Sequence, residues 1–292
     1  MDYTTFQIKD NESKNIYYFL KNKGFSENYI SNLRKTQNAI ILNGITANTR
    51  YKIKSGDKLE ILNSPNAKTN IQKCNIALDI VFEDAYYLLI YKPSGLSCMP
   101  NRSHYDLNLA GGIMTYMEAK DPNFTLRIMN RLDKDTAGFI LVAKSSVALQ
   151  EVKDIDKTYY AICKGEINND VVINKKIETV SNNGINEHKR IISENGKEAT
   201  TFVYPISSNK EASLLKIKIK HGRTHQIRVH LSSIEHPLIG DEIYGQKSKL
   251  ISHTALVCNE FSFYHPYASQ NLYFSHPFPS DFKNTCDTLS LN

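Results

Sequence analysis

The feature that most constrains this chain is Asn130-Arg131-Leu132-Asp133-Lys134-Asp135-Thr136-Ala137-Gly138, which runs straight into Phe139-Ile140-Leu141-Val142-Ala143-Lys144. A short apolar run rich in branched side chains, bounded by a polar turn on one side and a lysine on the other, reads as a buried strand. The turn ahead of it is pinned by Thr136 and Gly138 and carries Asp133 close to Arg131. Any fold that buries the strand must hold one carboxylate rigidly at the edge of its core, where a reaction can use it. A second polar cluster of the same character, Gly222-Arg223-Thr224-His225-Gln226-Ile227-Arg228, lies far along the chain. Together they suggest an enzyme that acts on a polyanion.

With 292 residues and 41% hydrophobic content, the chain can bury one sizeable core plus a small extra module. Its formal net charge of +6 is compatible with nucleic acid but does not require it. Five cysteines, Cys74, Cys98, Cys163, Cys258 and Cys286, are scattered without a Cys-x-x-Cys pair. This argues against a zinc ribbon or redox pair and fits free thiols in a reducing compartment. Residues Met1 to Asp10 are polar and lack an apolar signal core, and the apolar stretch near Tyr86 to Tyr91 is too short to span a bilayer. The expectation is a soluble cytoplasmic protein, monomeric and away from membranes.

Residues 12–63 have the pattern of a separate small module. Ile16, Phe19 and Leu20 have helical spacing that Gly24 ends, and Ser26 is placed to cap a second helix through Ile30, Leu33 and Arg34. Asn43-Gly44 between apolar runs is a strong hairpin signal, and Gly56-Asp57 turns the chain into a strand from Lys58 to Leu62. Lysines and arginines are distributed through this α+β unit. Residues 64–75 read as a linker, and residues 76–292 as the larger domain. There, strands are expected at Ile80–Phe82, Tyr87–Tyr91, Phe139–Ala143, Lys157–Cys163, Glu198–Pro205 and Ser213–Lys220, and a helix at Leu109–Ala119. Thr224 is placed to cap a short helix through Ile227, Leu231 and Ile234, and Lys175 to Gly196 reads as a long hairpin or loop. The fold class is α+β, a mixed and mainly antiparallel sheet domain preceded by a small α+β domain.

Each candidate residue has a plain structural reading beside a chemical one. Asp133 can simply bond turn amides, or, with Asp135, hold Mg²⁺ as an Asp-x-Asp pair, although no phosphate-cradling glycine loop accompanies it. His221, His225, His230 and His236 invite a zinc site, but their spacing favours structural roles. Arg223 and Arg228, in a glycine-opened turn at a helix start, suit phosphate contacts and a carboxylate partner, or a solvated basic turn. Tyr159 and Tyr160 project to opposite faces of one strand. One of them is core, and the other can offer a flat surface on which a base stacks.

These motifs, in this order, resemble those of the RluA/RluD-type pseudouridine synthases. Asn130 through Lys144 is similar to that family's His-Arg-Leu-Asp motif, and Lys157-Thr158-Tyr159-Tyr160-Ala161 through Gly165 to its Lys-x-Tyr-x-Ala strand. Gly222 through His230, with His236-Pro237-Leu238-Ile239-Gly240-Asp241, resembles its third motif. Asn195 through Thr201, Ser252 through Ala255 and His265-Pro266 complete a likeness that runs from about residue 76 to 282. The basic N-terminal unit resembles a diverged S4-type RNA-binding domain, without the family's clearer Leu-Ser-Arg-Ser run.

The resemblance implies isomerisation of uridine to pseudouridine in ribosomal or transfer RNA, with no metal and no organic cofactor. It makes Asp133 the catalytic aspartate, Tyr159 the tyrosine that stacks on the target uracil and Arg228 the arginine paired with Asp133. Arg131 corresponds to the arginine that helps hold the duplex open. Arg223, with Thr224 and His225 beside it, falls to the substrate's backbone. Asn130 stands where the family usually has histidine and Ala137 where it has serine. Two other classes compete with this reading. A non-catalytic RNA-binding or ribosome-assembly factor would leave every pseudouridine in place, and a metal-dependent nuclease using Asp133 and Asp135 would cleave strands until chelated.

Overall fold

The computed structural model describes residues 3–9, 14–63, 71–100, 106–179 and 189–291. The elements run β1 (Tyr3–Gln7), α1 (Ile16–Asn22), α2 (Glu27–Lys35), β2 (Ile40–Leu42), β3 (Ile45–Thr46) and β4 (Lys58–Leu62) in the N-terminal unit. In the larger domain they continue β5 (Asp79–Glu83), β6 (Tyr87–Lys92), α3 (Leu109–Glu118), β7 (Ala137–Ala143), α4 (Ser146–Glu151), β8 (Lys153–Lys164), β9 (Val171–Asn174), β10 (Ile177–Thr179) and β11 (Arg190–Ile192). The chain ends with β12 (Thr200–Ser208), β13 (Ala212–Lys220), α5 (Gln226–Ser232), β14 (Leu256–His265), β15 (Gln270–Ser275) and α6 (Ser280–Thr288). Among the described residues no helix is long and apolar enough to cross a membrane.

In the N-terminal unit, side-chain oxygens open both helices. Asn15 accepts from the Tyr18 amide and Ser26 from the Tyr29 amide, each satisfying a donor that the helix cannot. The helices bury Ile16, Phe19, Leu20, Ile30 and Leu33 against Leu59 and Ile61 of a four-stranded sheet ordered β1-β4-β2-β3. β1 lies ahead of residues 12–63, yet it pairs with β4 along its whole length. Of the expected linker, residues 64–70 lie outside the described residues.

The larger domain is built on a nine-stranded sheet ordered β5-β6-β7-β14-β8-β13-β12-β9, with β15 added to β14. Its pairings are antiparallel apart from β7 with β14. The continuous apolar run becomes β7, every residue of which is buried, as a strand covered on both faces requires. Phe139 and Leu141 pack into one cluster with Phe261, Phe263 and Phe282, while Ile140 and Val142 pack on the other face with α3. Gly138 has to be glycine. Its φ is +137°, and a Cβ there would stand 2.4 Å from the Cys258 carbonyl oxygen on β14. The parallel contact between β7 and β14 thus fixes where the polar turn ends. Leu132, inside that turn, packs against both the α3 cluster and the α5 cluster. The loop carrying Asp133 sits where those two clusters meet.

Two expectations change. Thr224 does not cap α5. The residue ahead of that helix is His225, in the left-handed conformation at φ 56° and without a side-chain cap bond. The turn is tied instead by Gln226, whose Oε1 accepts from the Arg223 amide at 2.9 Å while its Nε2 donates to the Thr200 carbonyl at 2.8 Å. The helix also ends at Ser232, before Ile234. Within the stretch 175–196, β10 and β11 form an antiparallel hairpin, and residues 180–188 are outside the described set.

Candidate active site

A cleft of about 1010 Å³ opens between the 130–136 turn, β8 and the start of α5. Asp133, Arg131, Tyr159, Arg223, Thr224, His225 and Arg228 all line it. Asp135 is outside this lining. The cleft is large enough for a nucleotide and more, by comparison with small-ligand sites of ~300–1,000 Å³.

The loop bearing Asp133 is fastened from below. Lys92 is fully buried, and its ammonium donates to the carbonyls of Pro93, Leu96 and Lys134 at 2.9, 2.8 and 2.9 Å. Ser94 Oγ donates to the Asp135 carbonyl at 2.7 Å, and the Cys98 thiol lies 3.2 Å from the Leu132 carbonyl. Burial pushes the Lys92 ammonium down to about 8. Asn130, in place of the family's usual histidine, donates to the Phe139 carbonyl and accepts from the Leu141 amide, both at 2.8 Å. It therefore laces the turn to β7, and its replacement of histidine leaves a built contact.

Asp133 faces two nitrogens. Arg228 Nη1 is 3.6 Å and His225 Nε2 3.9 Å from its Oδ2. Arg228 is bound more tightly elsewhere. Its Nε and Nη2 donate to both oxygens of Asp241 at 2.7 and 2.8 Å, a bidentate geometry that fixes the guanidinium plane. Asp241 is fully buried and also accepts from the Ile243 and Tyr244 amides. Burial opposes its charge, yet Arg228 holds its carboxyl below the usual carboxylate range. Burial likewise opposes the charge on Arg228, and the two carboxylates keep it protonated. The expected pairing of Arg228 with Asp133 is therefore the outer half of an Asp133–Arg228–Asp241 chain.

Tyr159 is only 5% exposed and lines the cleft, while Tyr160 points to the other side of the sheet and donates to Glu260. Burial raises the Tyr159 phenol well above its ordinary range, so it remains neutral. Arg131 and Thr224 are exposed on the cleft. Arg223 Nε donates to the Glu198 carbonyl at 3.1 Å. The four histidines diverge. His230 bridges Thr201 and the Lys175 carbonyl, His236 bonds the Lys164 carbonyl, and His225 alone of the four turns to Asp133. Among the described residues no group of three or more His, Cys, Asp or Glu is placed to hold a metal ion.

Asp241 and Lys92 are site residues that the sequence marks only weakly. For Asp241 the signal was its place after His236-Pro237 in the third motif. For Lys92 it was a lysine closing a fully apolar strand.

The model of a family described as RNA pseudouridylate synthase matches residues 86–233. An uncharacterized RNA pseudouridine synthase, YhcT of Bacillus subtilis, is 35% identical over 246 residues, covering 81% of this chain and 80% of that protein. The ribosomal large subunit pseudouridine synthase D of Nitrosomonas europaea is 28% identical over 84% of this chain and 75% of its own length. Among solved structures, human RNA pseudouridylate synthase domain containing 1 superposes with a TM-score of 0.56 at 22% identity, over 73% of this chain and 86% of that one.

Proposed function

The chain belongs to the RNA pseudouridylate synthase family and isomerises uridine to pseudouridine in RNA, and we propose that the reaction turns on Asp133. One observation carries this reading. Asp133 lines a nucleotide-sized cleft together with Tyr159, and its nearest cation, Arg228, is locked by a buried Asp241. A second carboxylate on the guanidinium leaves only part of its field for Asp133. Asp133 is thus aimed by the guanidinium at 3.6 Å without being consumed in a tight ion pair.

The chemistry suits this arrangement. The target base leaves its stack at a cost of about a few kcal/mol, is detached from the ribose, rotates and is rejoined through carbon. A carboxylate serves such a reaction as nucleophile or by stabilising positive charge at the sugar. Tyr159 offers its ring face to the uracil, Arg131 stands at the exposed rim to hold the opened duplex, and Arg223, Thr224 and His225 meet the backbone around the flipped nucleotide. A detached base must not escape, so the reaction requires the base to be held in the cleft away from bulk water.

Ribosomal RNA is the favoured substrate class, since relatives of this chain bear the name ribosomal large subunit pseudouridine synthase D. Residues 12–63, joined through 64–75 to the catalytic domain of residues 76–292, act as an S4-like RNA-binding domain. The protein works in the cytoplasm, a compartment that suits its free and mostly buried thiols, and it works as a monomer. A pseudouridine map of total RNA tests this. Deleting the gene removes the modification from defined positions, and wild-type protein, but not Asp133→Ala, restores it. A map unchanged by deletion contradicts the assignment.

A further inference from the structure

The Asp133 reading leaves Tyr244 without a stated role and gives His225 no more than a contact with the RNA backbone. We infer that Tyr244 is a positioning residue. Its hydroxyl fixes the tautomer of His225, so that a neutral ring presents an N–H to Asp133, and ties that ring to the β10–β11 hairpin.

The protons around one oxygen set the tautomer. The Arg190 amide, at the start of β11, donates to Tyr244 Oη at 2.9 Å. The same oxygen lies 3.1 Å from His225 Nδ1. With the amide N–H received, the phenol still has its own proton to place, and Nδ1 is the acceptor within reach. In the opposite arrangement, Nδ1–H would donate into an oxygen already accepting, and the phenolic proton would lose this partner. If Nδ1 accepts, the ring proton of neutral His225 sits on Nε2, the atom 3.9 Å from Asp133 Oδ2. A shift of about 1 Å makes that a hydrogen bond.

The ring has little freedom to turn away. Its backbone is in the left-handed conformation, and it meets the Tyr244 ring edge-on at 5.7 Å between centroids. The charged groups facing it are Asp133 and Asp241 on one side of the balance and Arg228 and Arg190 on the other. Burial lowers the imidazole's affinity for a second proton. A neutral donor orients the carboxylate without neutralising it, whereas an imidazolium would draw it into an ion pair. Because Arg190 belongs to the hairpin and also lines the cleft, the position of the hairpin reaches Asp133 through this one phenol.

The inference rests on Asp133 being the reactive carboxylate, and the experiment separates the two. Full-length protein labelled with ¹⁵N at histidine is examined by long-range proton–nitrogen correlation, beside kinetics of Tyr244→Phe. The expected wild-type signal for His225 is the Nε2–H form. In Tyr244→Phe that preference is lost, kcat falls about 10-fold for the loss of one orienting hydrogen bond, KM for RNA holds, and the acid limb of kcat moves to higher pH. Should Tyr244→Phe fail to fold, His225→Gln and His225→Asn still decide. The glutamine amide places its N–H where Nε2–H stands and asparagine where Nδ1 stands, so Gln outperforms Asn. An Nδ1–H wild-type ring, an unchanged Tyr244→Phe kcat and pH profile, or equal Gln and Asn variants overturns the role of Tyr244. Pseudouridine formation by Asp133→Asn would overturn the reading beneath it instead.

Discussion

At the scale of single residues, the site is an alternation of charges in which the buried member matters most for stability. Asp241 contributes nothing to the cleft surface, yet Arg228 is held in plane by it. Asp241→Asn leaves a buried guanidinium with one distant carboxylate, a change that costs on the order of 3–5 kcal/mol. It is expected to lower the thermal midpoint and to reduce kcat more than RNA affinity. The folded carboxyl titrates below its unfolded value, so its contribution is full above the ordinary aspartate range of about 4 and is lost as pH falls through the folded value. Acid denaturation of Asp241→Asn should therefore have a shallower slope there than wild type. Asn130→Ala removes both bonds from the turn to β7 and should cost about 1–3 kcal/mol by chemical denaturation. Asp133, Tyr159 and Arg228 were legible in the sequence because each stands inside a dense local motif. Lys92 and Asp241 were not, because their partners are carbonyls and a guanidinium that only the folded loops bring near.

At the scale of elements, sequence is readable where a pattern is local. Caps at Asn15 and Ser26, the Asn43-Gly44 hairpin and the doubly covered β7 each follow from residues within a few positions of one another. β1 is different. Its pairing partner is β4, at the far end of the unit, and of its side chains Phe6 packs against the core cluster, so no local signal marks it. The left-handed His225 is likewise set by Gln226 and the strands it reaches, not by Thr224. One inter-element contact gives a direct test. Glu83 at the end of β5 joins Lys144 after β7, Tyr116 in the last turn of α3 and Lys120 just beyond it. Burial opposes its ionisation, but these three partners hold its carboxyl down to about 2. Its stabilisation is present above the unfolded value of about 4.3 and disappears as pH drops toward 2. Glu83→Gln should lose on the order of 2 kcal/mol at neutral pH, after allowance for solvent screening, and little at acid pH.

At the scale of the molecule, the basic N-terminal unit is seated on the larger domain. Val147 of α4 joins its core, and the Asn63 carbonyl accepts from both Arg127 and Ser146. With a net charge of +6 and arginines at the cleft rim, RNA affinity should fall linearly in log–log terms with salt. Arg131→Ala and Arg223→Ala should each make the slope shallower by about 0.7–0.9 if each meets one phosphate, as filter binding across a salt series will measure. The most direct test of the whole account is product formation by purified Asp133→Asn on RNA that the wild-type enzyme modifies, with RNA binding measured on the same preparation. The account predicts bound RNA and no pseudouridine; pseudouridine formed at the wild-type rate would contradict it.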